Sequence, residues 1–154
     1  MAKLIIKDLK ELNTWVGKEL PYGDWLKVTQ EMINDFANAT LDHQWIHVDV
    51  ERANQYSPFQ KPVAHGFLSL SLLSKLLTDL ITVSSAKMGV NYGLNKVRFP
   101  SPVLVDSRVR CQGTIKEIEA YGDNGVKITW NCTVIIENSE KPACVAEFIS
   151  LMFE

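Results

Sequence analysis

Residues 66–81 carry Phe67, Leu68, Leu70, Leu72, Leu73, Leu76, Leu77, Leu80 and Ile81, which leaves a helix of that length almost no polar face. A helix that is apolar nearly all round must be buried nearly all round. The remainder of the chain reads as strand after strand. Residues 91–99 form one, ended by Pro100-Ser101-Pro102, and residues 107–120 a second with Gly113 as a candidate bulge. Gly122-Asp123-Asn124-Gly125 is a hairpin signal. Beyond it Val126, Ile128, Trp130, Cys132, Val134 and Ile136 alternate with polar residues, Ile135 excepted, as a half-buried antiparallel strand does. Residues 138–141 turn the chain into a last strand, 143–153, whose two apolar faces predict a central position or a subunit contact. One apolar helix and a long antiparallel meander each bury what the other cannot leave in water. The pattern therefore gives an α+β fold, most economically with the sheet curled around the helix.

The N-terminal part is less regular. Residues 16–26, with Gly17 and Gly23, predict a short irregular strand. Thr29 is a good N-cap for a helix in which Met32, Ile33, Phe36 and Ala37 recur at helical spacing. Residues 40–49 lack a stable period and predict a loop, and residues 49–56 a short capped helix. Pro58 and Pro62 make residues 57–62 a loop, since they disrupt either regular structure.

A chain of 154 residues with 46% apolar content suits a single domain over residues 1–154 with a sizeable core. Its formal charge is −2, with acidic and basic residues interspersed, which argues against a nucleic-acid partner. The longest apolar stretch is broken by Lys75 and Asp79, so it predicts a core helix and no membrane span. The first eight residues contain no uninterrupted apolar region and no cleavage site, so no signal peptide and a cytoplasmic location are expected. Cys111, Cys132 and Cys144 fall singly in strand-like runs without a C-x-x-C pattern. They predict buried free thiols rather than a zinc ribbon or a disulfide framework.

The residues suited to chemistry lie before the apolar helix. Thr40-Leu41-Asp42-His43-Gln44-Trp45-Ile46-His47 sets a carboxylate five residues ahead of an imidazole. On a helix that spacing splays two side chains by about 140°, so Asp42 and His47 can converge only in a bent segment. The plainer alternative is that Asp42 caps a turn and His47 is a satisfied polar residue. Ala64-His65-Gly66-Phe67 then sets a glycine at a helix start, where free N–H groups and the dipole favour negative charge. Gly66 could equally serve tight helix packing. A carboxylate, an imidazole and such an N-terminus together can activate water and hold a developing oxyanion. His65 reads as a structural hydrogen-bonding residue more than a third catalytic group. His43 and His47 also form an H-x-x-x-H pair, which on a helix could ligate a metal with Asp42. The expected loop removes that geometry, and no metal is expected.

Together these two stretches resemble the MaoC-like dehydratases, the (R)-specific enoyl-CoA hydratase branch of the hot-dog fold. The family pattern is a small residue, Gly, Asp, any residue, Asn, Pro, an aliphatic residue, then His. Thr40, Asp42, Ile46 and His47 match it, while Leu41, Gln44 and Trp45 depart. The Asp-His-Gln-Trp-Ile-His string is similar to the nodulation-protein-N-like members. The resemblance implies a hot-dog wrap and addition of water to a trans-2-enoyl-CoA to give an (R)-3-hydroxyacyl-CoA. It makes Asp42 and His47 the water-activating, proton-transferring pair and has the Gly66 N–H hold the thioester oxygen. It implies no metal or organic cofactor, CoA being the handle of the acyl-CoA thioester substrate, and a homodimer with sites at the subunit interface. Leu41, where the family often has glycine, is expected to narrow the acyl pocket. Lys96 and Arg98 are candidates for a CoA phosphate, with a solvated strand face as the alternative. Two other functions remain open. A hot-dog acyl-CoA thioesterase is weakened by the lack of any Asp or Glu in residues 67–77. A non-catalytic acyl-CoA-binding subunit is weakened by the retained Asp42–His47 pair.

Overall fold

The computed structural model describes residues 2–154. The chain opens with strand β1 (Leu4–Ile6), helix α1 (Leu9–Leu12) and one turn of 3-10 helix. Of the segment expected as an irregular strand, only its end is regular, as β2 (Leu26–Lys27); upstream, Val16 and Glu19 make single bridges to a later strand. Helix α2 (Gln30–Thr40) starts where Thr29 Oγ1 accepts the Met32 N–H at 3.2 Å and buries Ile33 and Ala37. It stops at Leu41, whose φ of 65° is left-handed, a C-cap that glycine fills most easily.

The expected loop over residues 40–49 is corrected in part. Trp45–Val48 form a single helical turn, α3, begun by the His47 N–H bonding Gln44 O at 3.0 Å. One turn is too short to show a period. Helix α4 (Val50–Tyr56) comes next, capped by Asp49, whose carboxylate accepts the Arg52 N–H at 3.1 Å.

The apolar helix forms in two pieces, α5 (Gly66–Ser71) and α6 (Leu73–Leu80), with Leu72 between them. Leu68, Leu73, Leu76, Leu77 and Leu80 are buried, but Phe67 is 67% exposed, against the expectation of burial all round. Strand β3 (Ile81–Val83) leaves α6 directly and pairs in parallel with β1, a small sheet the sequence pattern did not reveal.

Four long strands complete the chain: β4 (Met88–Arg98), β5 (Arg108–Tyr121), β6 (Gly125–Ile136) and β7 (Cys144–Phe153). With β2 they form an antiparallel sheet in the order β2-β5-β6-β7-β4. The β5–β6 hairpin turns through Gly122 at φ +64°, as its sequence requires. The bulge in β5 lies between Ile115 and Glu117 and not at Gly113. Gly113 instead makes room for α6, since a Cβ there would stand 3.2 Å from Leu80 Cδ1. Strand β7 sits between β6 and β4, so its two apolar faces answer to a central position.

The inner face of the sheet closes on α5 and α6 through Val109, Cys111, Ile115, Ile128, Trp130 and Cys132. This curled sheet about a helix is the hot-dog arrangement. Cys111, Cys132 and Cys144 are buried free thiols on three adjacent strands. Burial pushes the Cys144 thiol up to about 11, and the neighbouring Cys111 thiol with burial pushes Cys132 higher still. No helix among the described residues is long and apolar enough to cross a membrane.

Candidate active site

His47 stands on α3, 7% exposed, because Val63 draws that turn inward: the Val63 N–H bonds Ile46 O at 3.0 Å. The His47 ring returns the contact, with Nδ1 donating to Val63 O at 2.6 Å. The carbonyl can only accept, so Nδ1 bears the hydrogen and Nε2 of the neutral ring is a bare base. The pKa of His47 lies below its ordinary value, chiefly because burial disfavours the cation; the Val63 carbonyl and Asp42 oppose that and His65 adds to it.

Asp42 comes directly after the left-handed Leu41 and is half exposed, with one carboxylate oxygen 3.4 Å from the Gln44 N–H. That contact is the turn-capping role of the plainer alternative. The same residue also meets two histidines. Ligand atoms of Asp42, His47 and His65 all lie within 4.8 Å of one another. The fold thus brings Asp42 and His47 together as the sequence predicted, and adds His65, which is buried and stacked on His47 at 3.8 Å between ring centroids.

The H-x-x-x-H pair does not form. His43 precedes α3 and its Nε2 turns away to Asn38 Oδ1 at 3.1 Å. The observed Asp42–His47–His65 cluster has a spacing that could admit an ion. An ion taking His65 Nε2 would cost the bond that this nitrogen makes to Asp42 O at 3.0 Å.

Gly66 is the first residue of α5, as predicted. Leu68 and Ser69 N–H groups both reach back to His65 O, at 3.0 and 3.2 Å, while no backbone acceptor meets the Gly66 and Phe67 N–H groups among the described residues. Packing also favours a glycine here. A Cβ on Gly66 would stand 3.0 Å from the Phe99 ring. Gly66 and His47 line one cavity of about 340 Å³ with Phe59, Ser69, Phe99, Ser101 and Val103 among its walls. Of these wall residues, sequence reasoning missed Phe59 and Ser69. Ser69 alone carried a signal, standing one helical turn beyond Gly66. Lys96 and Arg98 do not line this cavity; Arg98 Nη1 bonds the neighbouring Val97 O at 2.7 Å. Leu41 is 79% exposed and does not line it either.

The sequence pattern of the MaoC like domain matches residues 11–135. The chain belongs to the MaoC-like dehydratase family. Among its relatives, 3-hydroxyacyl-thioester dehydratase Z of Mycobacterium tuberculosis is 48% identical over 93% of this chain and 94% of that protein. Nodulation protein N of Rhizobium leguminosarum bv. viciae is 43% identical over 94% of this chain and 90% of that protein. Solved MaoC-like folds superpose at lower identity. The monoamine oxidase regulatory protein of Archaeoglobus fulgius gives a TM-score of 0.75 at 23% identity, covering 100% of this chain and 99% of that one. The R-hydratase of Pseudomonas aeruginosa gives 0.67 at 20% identity, covering 90% and 81%.

Proposed function

We propose that this chain, as one MaoC-like domain over residues 1–154, catalyses reversible syn addition of water to a trans-2-enoyl-CoA, giving an (R)-3-hydroxyacyl-CoA. The observation that carries this reading is the buried His47, whose bare Nε2 is fixed by the Nδ1 bond to Val63 O at 2.6 Å. A dehydratase relative named for 3-hydroxyacyl thioesters supports it.

In the hydration direction the water oxygen bonds C3 as the C2–C3 double bond opens. The Asp42–His47 pair takes one proton from the water and returns one to C2, so atoms balance without a cofactor. The electron pair passes through the thioester carbonyl, whose oxygen gains negative charge beside the Gly66 N–H. A positioned acid or base contributes about 10²–10⁴-fold, and one oxyanion donor about 10²–10³-fold.

Crotonyl-CoA and longer enoyl-CoAs test the reading directly. Loss of the enoyl absorbance without release of free thiol is the expected result. Thiol release would make the protein a thioesterase, and neither change would leave a binding subunit. Asp42→Asn and His47→Gln should each lower kcat by at least about 10²-fold, and the double variant little more than the worse single one. Near-parental turnover in Asp42→Asn would end the assignment of the pair. Chelation should leave the rate unchanged; a loss restored by added metal would show that an ion, and not the pair alone, activates the water.

A further inference from the structure

His65 takes no part in the proton transfers of Asp42 and His47, yet it is the most deeply buried polar side chain at the site, 3% exposed. Its ring lies between Phe36 of α2, with centroids 4.9 Å apart, and His47 of α3, stacked with a 22° interplanar angle. Its Nε2 bonds the Asp42 carbonyl oxygen at 3.0 Å and stands 3.9 Å from Asp42 Oδ2, beyond hydrogen-bond reach of the carboxylate. The carbonyl only accepts, so the hydrogen is on Nε2 and Nδ1 is bare. Nδ1 is buried with no hydrogen-bond partner among the described residues. No neighbouring group stands ready to exchange a proton with Nδ1, and His65 acts through its contacts.

The geometry points to His65 as the positioning residue of the hydration site: its ring face sets the plane of the His47 imidazole, its Nε2 sets the Asp42 backbone, and both reach it from the residue next to Gly66. This rests on the hydratase reading. Asp42 lies in the short link between α2 and α3 and is half exposed. Its bond from His65 crosses 23 residues and ties that link to the start of α5. His47 is anchored at one nitrogen only and could swing about that bond; a stacked ring on one face prevents it. Displacing a reacting group by about 1 Å can cost about 10²-fold in rate, so both contacts act on kcat more than on binding.

Two substitutions separate this role from general support of the fold. A glutamine amide nitrogen can stand where Nε2 stood, whereas that of asparagine falls nearer to Nδ1. With crotonyl-CoA, His65→Asn should lower kcat at least about tenfold with KM within about threefold, and His65→Gln should recover about threefold or more of that loss. A kcat for His65→Asn within about twofold of the parent would overturn the proposal. So would a glutamine variant no better than asparagine, or losses that merely follow the melting temperatures. If either variant fails to fold, ¹⁵N spectra of the parent decide: His47 is expected with a hydrogen on Nδ1 and His65 with a hydrogen on Nε2. A His65 whose Nε2 carries no hydrogen would overturn the proposal. This spectrum needs no turnover. A parent inert toward enoyl-CoA would therefore sink the hydratase reading while the spectrum still judged the hold on Asp42.

Discussion

At the residue scale the two positions of greatest interest are a leucine and a histidine. Leu41 was expected to fill acyl space beside Asp42. The structure turns its side chain to solvent and gives it a φ of 65° at the end of α2. A glycine is easier at that position because of backbone sterics, and the pocket has no part in it. Leu41→Gly should therefore raise stability by about 1 kcal/mol in chemical denaturation and leave the chain-length profile unchanged. Lowered stability would show that the leucine packs on something beyond this chain. For His47 the sign runs through its depressed pKa, below 6.5 when folded. As pH falls below 6.5 the unfolded chain takes up this proton first, so stability is lost on the acid side and is fully present above that value. The same proton silences the base. Plots of log kcat/KM against pH should bend on the acid side with a midpoint under 6.5, and His47→Gln should abolish the bend.

At the element scale the fit of helix to sheet is concentrated at Leu80. Its two methyl groups approach Gly23 and Gly113, where added Cβ atoms would stand 3.1 and 3.2 Å away. Leu80→Ala should cost about 2–5 kcal/mol in urea unfolding, and adding Gly113→Ala should return part of it, because the new methyl enters the vacated space. Additive losses would mean that the methyl finds no room. The elements themselves were legible to the degree that they repeat. The β5–β6 hairpin shows in its glycines and in the alternation after it, and α2 shows in Thr29 and the spacing of Ile33 and Ala37. The elements that escaped notice are those too short to have a period: α1, the 3-10 turn after it, α3 and the β1–β3 pair. Asp42, His47 and Gly66 stand out in the sequence because their residue types stand at motif spacing. The packing of His65 onto His47 could not be found that way, since it joins segments whose approach is fixed by Val63 and not by sequence distance.

At the scale of the whole molecule, β7 has both edges paired inside the sheet and exposes only Val145 of its large apolar residues, so the apolar surface open to a partner lies on β4. It is an edge strand with Met88, Val90, Tyr92 and Leu94 all exposed, and an apolar unpaired edge is an invitation to pair. Light scattering at micromolar concentration should report about twice the chain mass of 17.4 kDa. Leu94→Lys with Tyr92→Lys should halve it, and a parent that is already monomeric would remove the dimer. The three thiols on β5, β6 and β7 have a consequence of another kind. Buried in the core, they are closed to alkylating reagents for as long as the sheet stays shut. Each labelling event then timestamps an opening of the core. With reagent in excess, the modification rate in a mass spectrum becomes a clock for the rarest excursions of the chain, and it runs without any probe being added.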